Sequence, residues 1–485
     1  MQNFANAKQV KPFGFRDKIG YLFGDFGNDF TFILSSSFLL KFYTDVMGVS
    51  AAVVGLVMML ARFLDAFTDV TMGRICDRSK TTSAGKFRPW LRRMCAPVAI
   101  ASFLMYQSSL ADSSMAVKIA WLFITYILWG SIFYTAINIP YGSMASAISA
   151  DPTDRQSLST YRTMGATFAG AIIGALVPIL VYKNQTINGQ TVAVLQGNVF
   201  TTVAGILSVL SVLAYLLCYY LTTERVRPPV TDKPKNSVGT LIKSALTNRA
   251  LLSIIVASIV MLLSQLTMQQ MANYVFPNHY GNAKAMTVST LAMLASMMVA
   301  AVISKPLVKR FGKAEISVVS NLIASGISLA LFIIRPKNVW TYVVLQSVGW
   351  FGLGIFSVVS WALITDVIDY SELKNGVRED GSIYALYSFA RKLGQAGSSG
   401  LVGLLIALVG YSDATAFDPA VTNSLFNIST LVPAVGFSAL ALVLWFWYPL
   451  HKKQVDKNVK RLQELHAAAQ FAQSEGANKQ LDEKP

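Results

Sequence analysis

The apolar positions of this 485-residue chain come in long blocks, not in the narrow stripes of a water-soluble helical fold. Twelve blocks approach or exceed the length of about 20 mainly apolar residues that crosses a hydrocarbon layer as a helix. They lie near 19–46, 51–73, 91–110, 117–147, 159–182, 199–222, 250–275, 285–308, 315–334, 339–365, 382–410 and 424–449. The opening MQNFANAKQVKPFGFRDK is polar and is not a cleavable leader, so the first helix is expected to stay in the mature protein. The link 223–249, with its prolines and charges, separates six blocks from six. A weak repeat supports that division: the basic turn Gly73-Arg74-Ile75-Cys76-Asp77-Arg78 after the second block matches in placement the turn Lys305 to Lys313 after the eighth. The pattern predicts an all-α membrane protein of twelve transmembrane helices in two six-helix halves. These are 1–222 and 250–450, joined by a cytoplasmic middle loop (223–249) and followed by a cytoplasmic tail (451–485). Within the tail, VKRLQELHAAAQFAQ has the spacing of a short amphipathic helix at the membrane surface, and a solvated tail fits it equally.

Charge placement sets the orientation. Lys and Arg number 41 against 25 Asp and Glu, a net charge of +16. With the N-terminus inside, 31 basic residues fall on inner segments and 5 on outer loops: Lys118, Lys183, Lys284, Arg335 and Lys337. One missed span would invert everything after it, so this split supports the helix count and puts both termini in the cytoplasm of a cell-membrane protein. The basic surplus is then explained by topology and anionic lipid, and nucleic acid is not an expected partner despite a pI near 9.6. Composition agrees: 14% of residues are charged, where a soluble domain carries about 25%, and the mean hydropathy is +0.48. The 3 Cys are scattered and the 3 His fall in polar or loop segments, so neither a disulfide framework, a metal site nor a histidine relay is expected. No nucleotide-binding motif speaks for ATP-driven work.

Charges inside the apolar blocks are the candidates for function, because each costs roughly 2.5–3.5 kcal/mol to place at mid-membrane. The second block carries Arg62, Asp65 and Asp69, with the carboxylates four apart on one helix face. Two carboxylates in low dielectric repel each other until a proton, a cation or an arginine relieves them. The pattern suits a coupling-ion site; an Arg–Asp pair that only packs the bundle is the structural alternative. The first block carries Asp25 and Asp29, also four apart, with Asp29 the deeper and Asp25 the one with a structural reading. In the fourth, Asn138 stands next to Pro140, whose missing N–H is expected to distort the helix. Arg162 opens the fifth, and Arg391 and Lys392 share the eleventh, about 100° apart around the helix and so suited to different tasks. Of the many aromatic residues most must be packing or interfacial.

The run Arg62 to Gly73, then Asp77-Arg78 and Gly85-Lys86-Phe87-Arg88-Pro89-Trp90, resembles the signature of the glycoside–pentoside–hexuronide:cation symporters of the major facilitator superfamily, which include the melibiose carrier. The likeness continues through Tyr126 to Gly130, Asn138-Ile139-Pro140 and Asp366 to Tyr370, and spans all twelve blocks. It implies the major facilitator fold, no enzymatic activity, no cofactor, and symport of a small sugar or glycoside with H+ or Na+ by a monomer. It also implies residue roles: Asp65 and Asp69 for the cation, with Thr135 and Asn138 nearby; Asp29, Arg162, Asn138, Ser388 and Lys392 for the sugar. Two departures stand out. Melibiose carriers have an aspartate where this chain has Asn138, and aromatic residues where it has Gly142 and Ser357. The loss of one negative charge, with Arg62 partly neutralising the Asp pair, favours H+ over Na+. Trp361 or Tyr141 is expected to supply the missing sugar platform. The overall likeness points to pentoside carriers of Gram-positive bacteria that take up glycosides such as isoprimeverose. Rival readings are an uncoupled facilitator or exchanger on the same fold and, more remotely, an intramembrane prenyltransferase using Asp65/Asp69 and Asp366/Asp369.

Overall fold

The computed structural model describes residues 12–187, 190–226, 248–375 and 380–465. Most of the middle loop therefore lies outside the described residues, as does the part of VKRLQELHAAAQFAQ from residue 466 onward. Among the described residues twelve long helices follow in order: α1 (Phe15–Asp45), α2 (Ala51–Arg78), α3 (Arg88–Leu104), α4 (Met115–Ile148), α5 (Pro152–Val181), α6 (Gly197–Leu221), α7 (Arg249–His279), α8 (Ala283–Phe311), α9 (Lys313–Ile334), α10 (Val339–Asn375), α11 (Asp380–Leu408) and α12 (Pro419–Trp447). Nine are long and apolar enough to cross a membrane by length and composition. The other three have physical reasons to fall short: α3 is only 17 residues long, α1 carries Asp25, Asp29 and Lys41, and α11 carries Arg391 and Lys392.

Several boundaries differ from the hydropathy blocks. α5 begins at Pro152, not near 159, because Asp151 caps it: the carboxylate accepts from Thr153 N at 2.6 Å and Asp154 N at 3.4 Å, and Pro152 takes the first helical position. α10 runs ten residues beyond the apolar block, through polar sequence that needs no hydrocarbon to stay helical. Between α5 and α6 stands an antiparallel pair that hydropathy alone missed, β1 (Tyr182–Ile187) and β2 (Gln190–Leu195), in register from Tyr182↔Leu195 to Ile187↔Gln190. In the tail, 452–465 is helical and docks on the start of α9, with Lys452 N donating to Glu315 Oε1 at 2.9 Å.

Rows of large apolar side chains face outward, such as Ile206, Val209 and Leu213 on α6 and Leu291, Met298 and Val302 on α8. Such faces are stable against hydrocarbon, not water. Inside, one buried apolar cluster joins the first six helices to pieces of the last six that lie away from the termini, including Tyr274, Phe276, Tyr342, Ile406 and Phe426. A second cluster, around Leu251, Met261, Phe356, Ile364 and Leu440, belongs to the last six alone. Ties between the two sets gather toward the end away from the termini, here the far end. There α2 meets α11 backbone to backbone: a Cβ on Gly55 would stand 2.7 Å from Ser399 O and 2.9 Å from Gly403 Cα. Thr287 Oγ1 of α8 donates to Ala175 O of α5 at 2.8 Å, and Asn273 Nδ2 of α7 to Ser37 O of α1 at 2.7 Å.

Candidate functional site

Residues four apart on a helix stand one turn above each other, and the site is built from two such pairs in register. Asp65 and Asp69 on α2 face Ser131 and Thr135 on α4. Ser131 Oγ donates to Asp65 Oδ1 at 2.6 Å, and Thr135 Oγ1 to Asp69 Oδ1 at 2.9 Å. α4 widens to a π-helical stretch over Leu128–Tyr134, immediately before Thr135; single π-turns of this kind favour functional sites. The sequence placed the distortion at Pro140. That proline lies within the helix, and the irregular turn precedes it, where Trp129 and Ser131 are buried against α2.

Two cations balance the two carboxylates. Arg62 Nη1 is 3.3 Å from Asp65 Oδ2, and its guanidinium lies over the rings of Phe32 (4.7 Å) and Trp129 (5.8 Å). Lys392, from α11 in the other set of six, pairs with Asp69. The four formal charges cancel. They border a cavity of about 200 Å³ that Thr135, Asn138, Tyr134, Phe32 and Gln395 also line. The structure thus brings together Asp65, Asp69, Thr135, Asn138 and Lys392, the predicted cation residues and two of the predicted sugar residues. These oxygens suit a hard cation or a proton; among the described residues no group of three His, Cys, Asp or Glu gathers as for a transition metal.

Asp29, Arg162 and Ser388 do not line this cavity. Arg162 Nε is 3.2 Å from Asp25 Oδ1, with the arginine 42% exposed and the aspartate 8%. Asp25 therefore holds the arginine in place, while Asp29, one turn further along α1, is partly exposed and has no hydrogen bond or ion pair among the described residues. Ser388 is partly exposed one turn before Lys392. Arg391 has the separate task its angular offset foretold: it covers the rings of Trp361 (5.3 Å) and Tyr387 (5.9 Å). Both expected platforms are engaged. Trp361 stacks on Tyr384 at 5.3 Å. Tyr141 is fully buried, stacked on Tyr21 at 4.6 Å and covered by Arg162 at 5.3 Å. Sequence reasoning missed Ser131, Phe32 and Gln395. Only Ser131 left a signal, its spacing of four from Thr135, which matches the spacing of the carboxylates.

With this geometry in hand, similarity to known proteins is informative. The family model for MFS/sugar transport proteins matches residues 20–452. A glucuronide carrier protein homolog of Escherichia coli (strain K12) is 32% identical over 443 residues, 90% of this chain and 93% of the relative. An isoprimeverose transporter of Lactiplantibacillus pentosus is 30% identical over 460 residues, 93% of this chain and 92% of the relative. The fold is shared with a solved bacterial homolog of the human lysosomal transporter Spinster, at TM-score 0.65 and 12% identity, over 91% of this chain and 97% of that one. These relatives are transporters and not enzymes. The chain is a multi-pass membrane protein that belongs to the MFS/sugar transport proteins, in the glycoside–pentoside–hexuronide:cation symporter family.

Proposed function

We propose that this protein takes up a glycoside together with a proton by alternating access between two six-helix halves, 1–222 and 250–450. It does so as a monomer with twelve spans and both termini in the cytoplasm. One observation carries the reading: the Asp65/Asp69 pair is neutralised in part by Lys392, a cation from the opposite half. A coupling cation that occupies Asp65, Asp69, Thr135 and Asn138 competes with Lys392 for Asp69. Loading the ion therefore frees the lysine, which is also a sugar ligand along with Asp29, Arg162, Asn138 and Ser388. Ion and sugar then favour each other's binding, as symport requires. H+ is preferred to Na+ because Asn138 offers a carbonyl oxygen without charge, whereas Na+ prefers several oxygen ligands at once. Similarity to an isoprimeverose transporter and to a glucuronide carrier protein homolog supports a pentoside or other small glycoside as cargo.

Uptake of a panel of labelled glycosides into vesicles, with H+ or Na+ gradients imposed separately, tests this. Accumulation of at least one glycoside driven by H+ alone is expected. Accumulation that needs Na+ and moves no protons overturns the choice of ion; equilibration without concentration under either gradient supports the uncoupled facilitator instead. A tag inserted near Asp232 should be reachable only from the cytoplasm.

A further inference from the structure

The link between α9 and α10, residues 335–338, is unusually basic for its place in the fold. Loops at the end away from the termini hold 5 basic residues in all, in keeping with the scarcity of Lys and Arg on one side of a membrane protein. Two of them, Arg335 and Lys337, line a single far-end cavity of about 350 Å³, together with His279 of α7 and Asn423, Phe426 and Asn427 of α12. Its size falls within the roughly 300–1,000 Å³ of ligand pockets. No Asp or Glu lines it, and neither Arg335 nor Lys337 forms an ion pair among the described residues.

Contacts within the chain fix the walls of this cavity. Arg335 ends α9 at φ 47° and ψ 63°, the one non-glycine residue with positive φ among the described residues. Its N–H donates to Leu331 O at 3.0 Å, closing the helix in a conformation that glycine usually supplies because a Cβ is strained there. This strained residue is one of the two that bring a full positive charge to the cavity. Its Nη2 donates to Asn427 Oδ1 at 3.2 Å and its Nε to Phe332 O at 3.4 Å, which orients the guanidinium and leaves Nη1 for a ligand. Tyr280 OH donates to Pro336 O at 2.9 Å and holds the link against α7. His279 stacks on the buried Phe426 ring at 4.8 Å. Cationic and amide groups with no carboxylate among them select an anion, and a planar guanidinium suits the oxygens of a phosphate. The surface beside the link is apolar: Ile333 and Ile334, just before Arg335, are 70% and 61% exposed, and Trp340, just after the link, is 48% exposed. An exposed Trp at the end of an apolar helix marks the headgroup level of a bilayer.

We propose that this cavity binds the phosphate of an anionic phospholipid from the far-end leaflet, with Arg335 and Lys337 as its cationic contacts. A free phosphate ion would satisfy the same nitrogens; the lipid-facing residues on either side of the link favour the headgroup. The test needs neither transport nor a known orientation. Asn423→Cys places a thiol at an exposed position among the lining residues, and all three native cysteines are buried. The purified full-length variant is labelled with a neutral maleimide in micelles containing phosphatidylglycerol, in micelles containing phosphatidylcholine, and in the latter with inorganic phosphate added. Phosphatidylglycerol should slow labelling in a saturable way, whereas phosphatidylcholine and inorganic phosphate should not. Adding Arg335→Gly removes the guanidinium and relieves the backbone strain. The phosphatidylglycerol fraction needed for half-protection should then rise about fivefold, the contribution of one basic residue at an anionic lipid surface. Lys337→Gln should act in the same direction and serves if Arg335→Gly fails to fold. Lys284→Gln, which removes a far-end basic residue outside the cavity, should leave protection unchanged. Equal labelling in the two lipids, or protection that survives both Arg335→Gly and Lys337→Gln, overturns the site. Protection by inorganic phosphate as strong as that by phosphatidylglycerol overturns the lipid as occupant in favour of a soluble anion.

Discussion

Two of the charge clusters inside the bundle differ in how completely each is satisfied. At the far end Lys41 is 1% exposed, and its three N–H groups have three partners: Asp45 at 2.7 Å, Asn278 Oδ1 at 2.6 Å and Tyr411 OH at 2.7 Å. The ring closes on itself, since Tyr411 OH donates to Asp45 Oδ1 at 2.8 Å and Asn278 Nδ2 to Ala416 O at 2.9 Å. Lys392, in the other cluster, is 40% exposed, has Asp69 as its one ion-pair partner among the described residues and borders open space. An ammonium has three donors to satisfy. Where fixed partners take all three, the charge ties the first six helices to the last six; where one is taken beside a cavity, the charge is free to exchange. The difference fits closure of the far end by the first cluster and the proposed cargo role of the second.

The largest effect should come from the exchangeable cluster. Asp65→Asn or Asp69→Asn should reduce gradient-driven accumulation to equilibration while the protein still inserts and still exchanges sugar downhill. Normal accumulation by either variant would remove that carboxylate from coupling. Lys41→Met should act on the other cluster by leaving Asp45 without its cation, at a cost of about 3–5 kcal/mol to the closed far end. Thermal stability in detergent should fall, and a cysteine introduced at Ser37 should label faster from outside. Lys41→Met combined with Asp45→Leu should recover much of the loss. If Lys41→Met abolished coupling but left stability and labelling unchanged, the two clusters would not differ in the way described.

The sequence exposed these clusters unequally. Asp65, Asp69 and Arg62 are legible because they crowd into eight residues of one apolar helix, where nothing but function or pairing excuses them. Lys41 and Asp45 share the same spacing of four, but the partners that complete their ring stand 237 and 370 residues away. No local pattern announces a tie of that range. The helices themselves were legible because backbone groups in hydrocarbon must be satisfied within the segment. Their ends were not, since caps such as Asp151 and polar extensions such as that of α10 obey the rules of water. The aromatic platform is hard to read for a third reason: Trp361 and Tyr141 have the right chemistry, but the sequence does not show that their rings touch Tyr384, Tyr21, Arg162 and Arg391.

Two smaller effects sharpen the contrast. Asn138→Asp restores a negative charge to the exchangeable cluster and should introduce Na+ stimulation of uptake, measured as the ratio of rates with and without Na+; no change would show that the fourth oxygen does not reach the ion. At the far end, burial first, and the Asp45 charge second, push the Asp413 carboxyl above its usual range, while Lys41 opposes them. A carboxyl raised in the closed arrangement favours closure below the ordinary carboxylate range and loses that contribution as pH rises through its shifted value. Far-end labelling should therefore speed up modestly with rising pH, and Asp413→Asn should flatten the profile.

The seam where α2 meets α11 has a mechanical consequence. Gly55 and Gly403 present bare backbone to each other, and one turn further along the Met59 side chain lies in the hollow at Gly400. Two interlocked surfaces must unthread before they separate, and each withdrawn side chain has to find a new rotamer on the way. Smooth surfaces only lose dispersion contacts, each worth a few tenths of a kcal/mol or less. A joint of this kind holds by area and opens without tearing, so it can be parted and remade on every transport cycle. A methyl group at either glycine would act as a wedge, holding the joint ajar and biasing the cycle toward the state in which the far end is open.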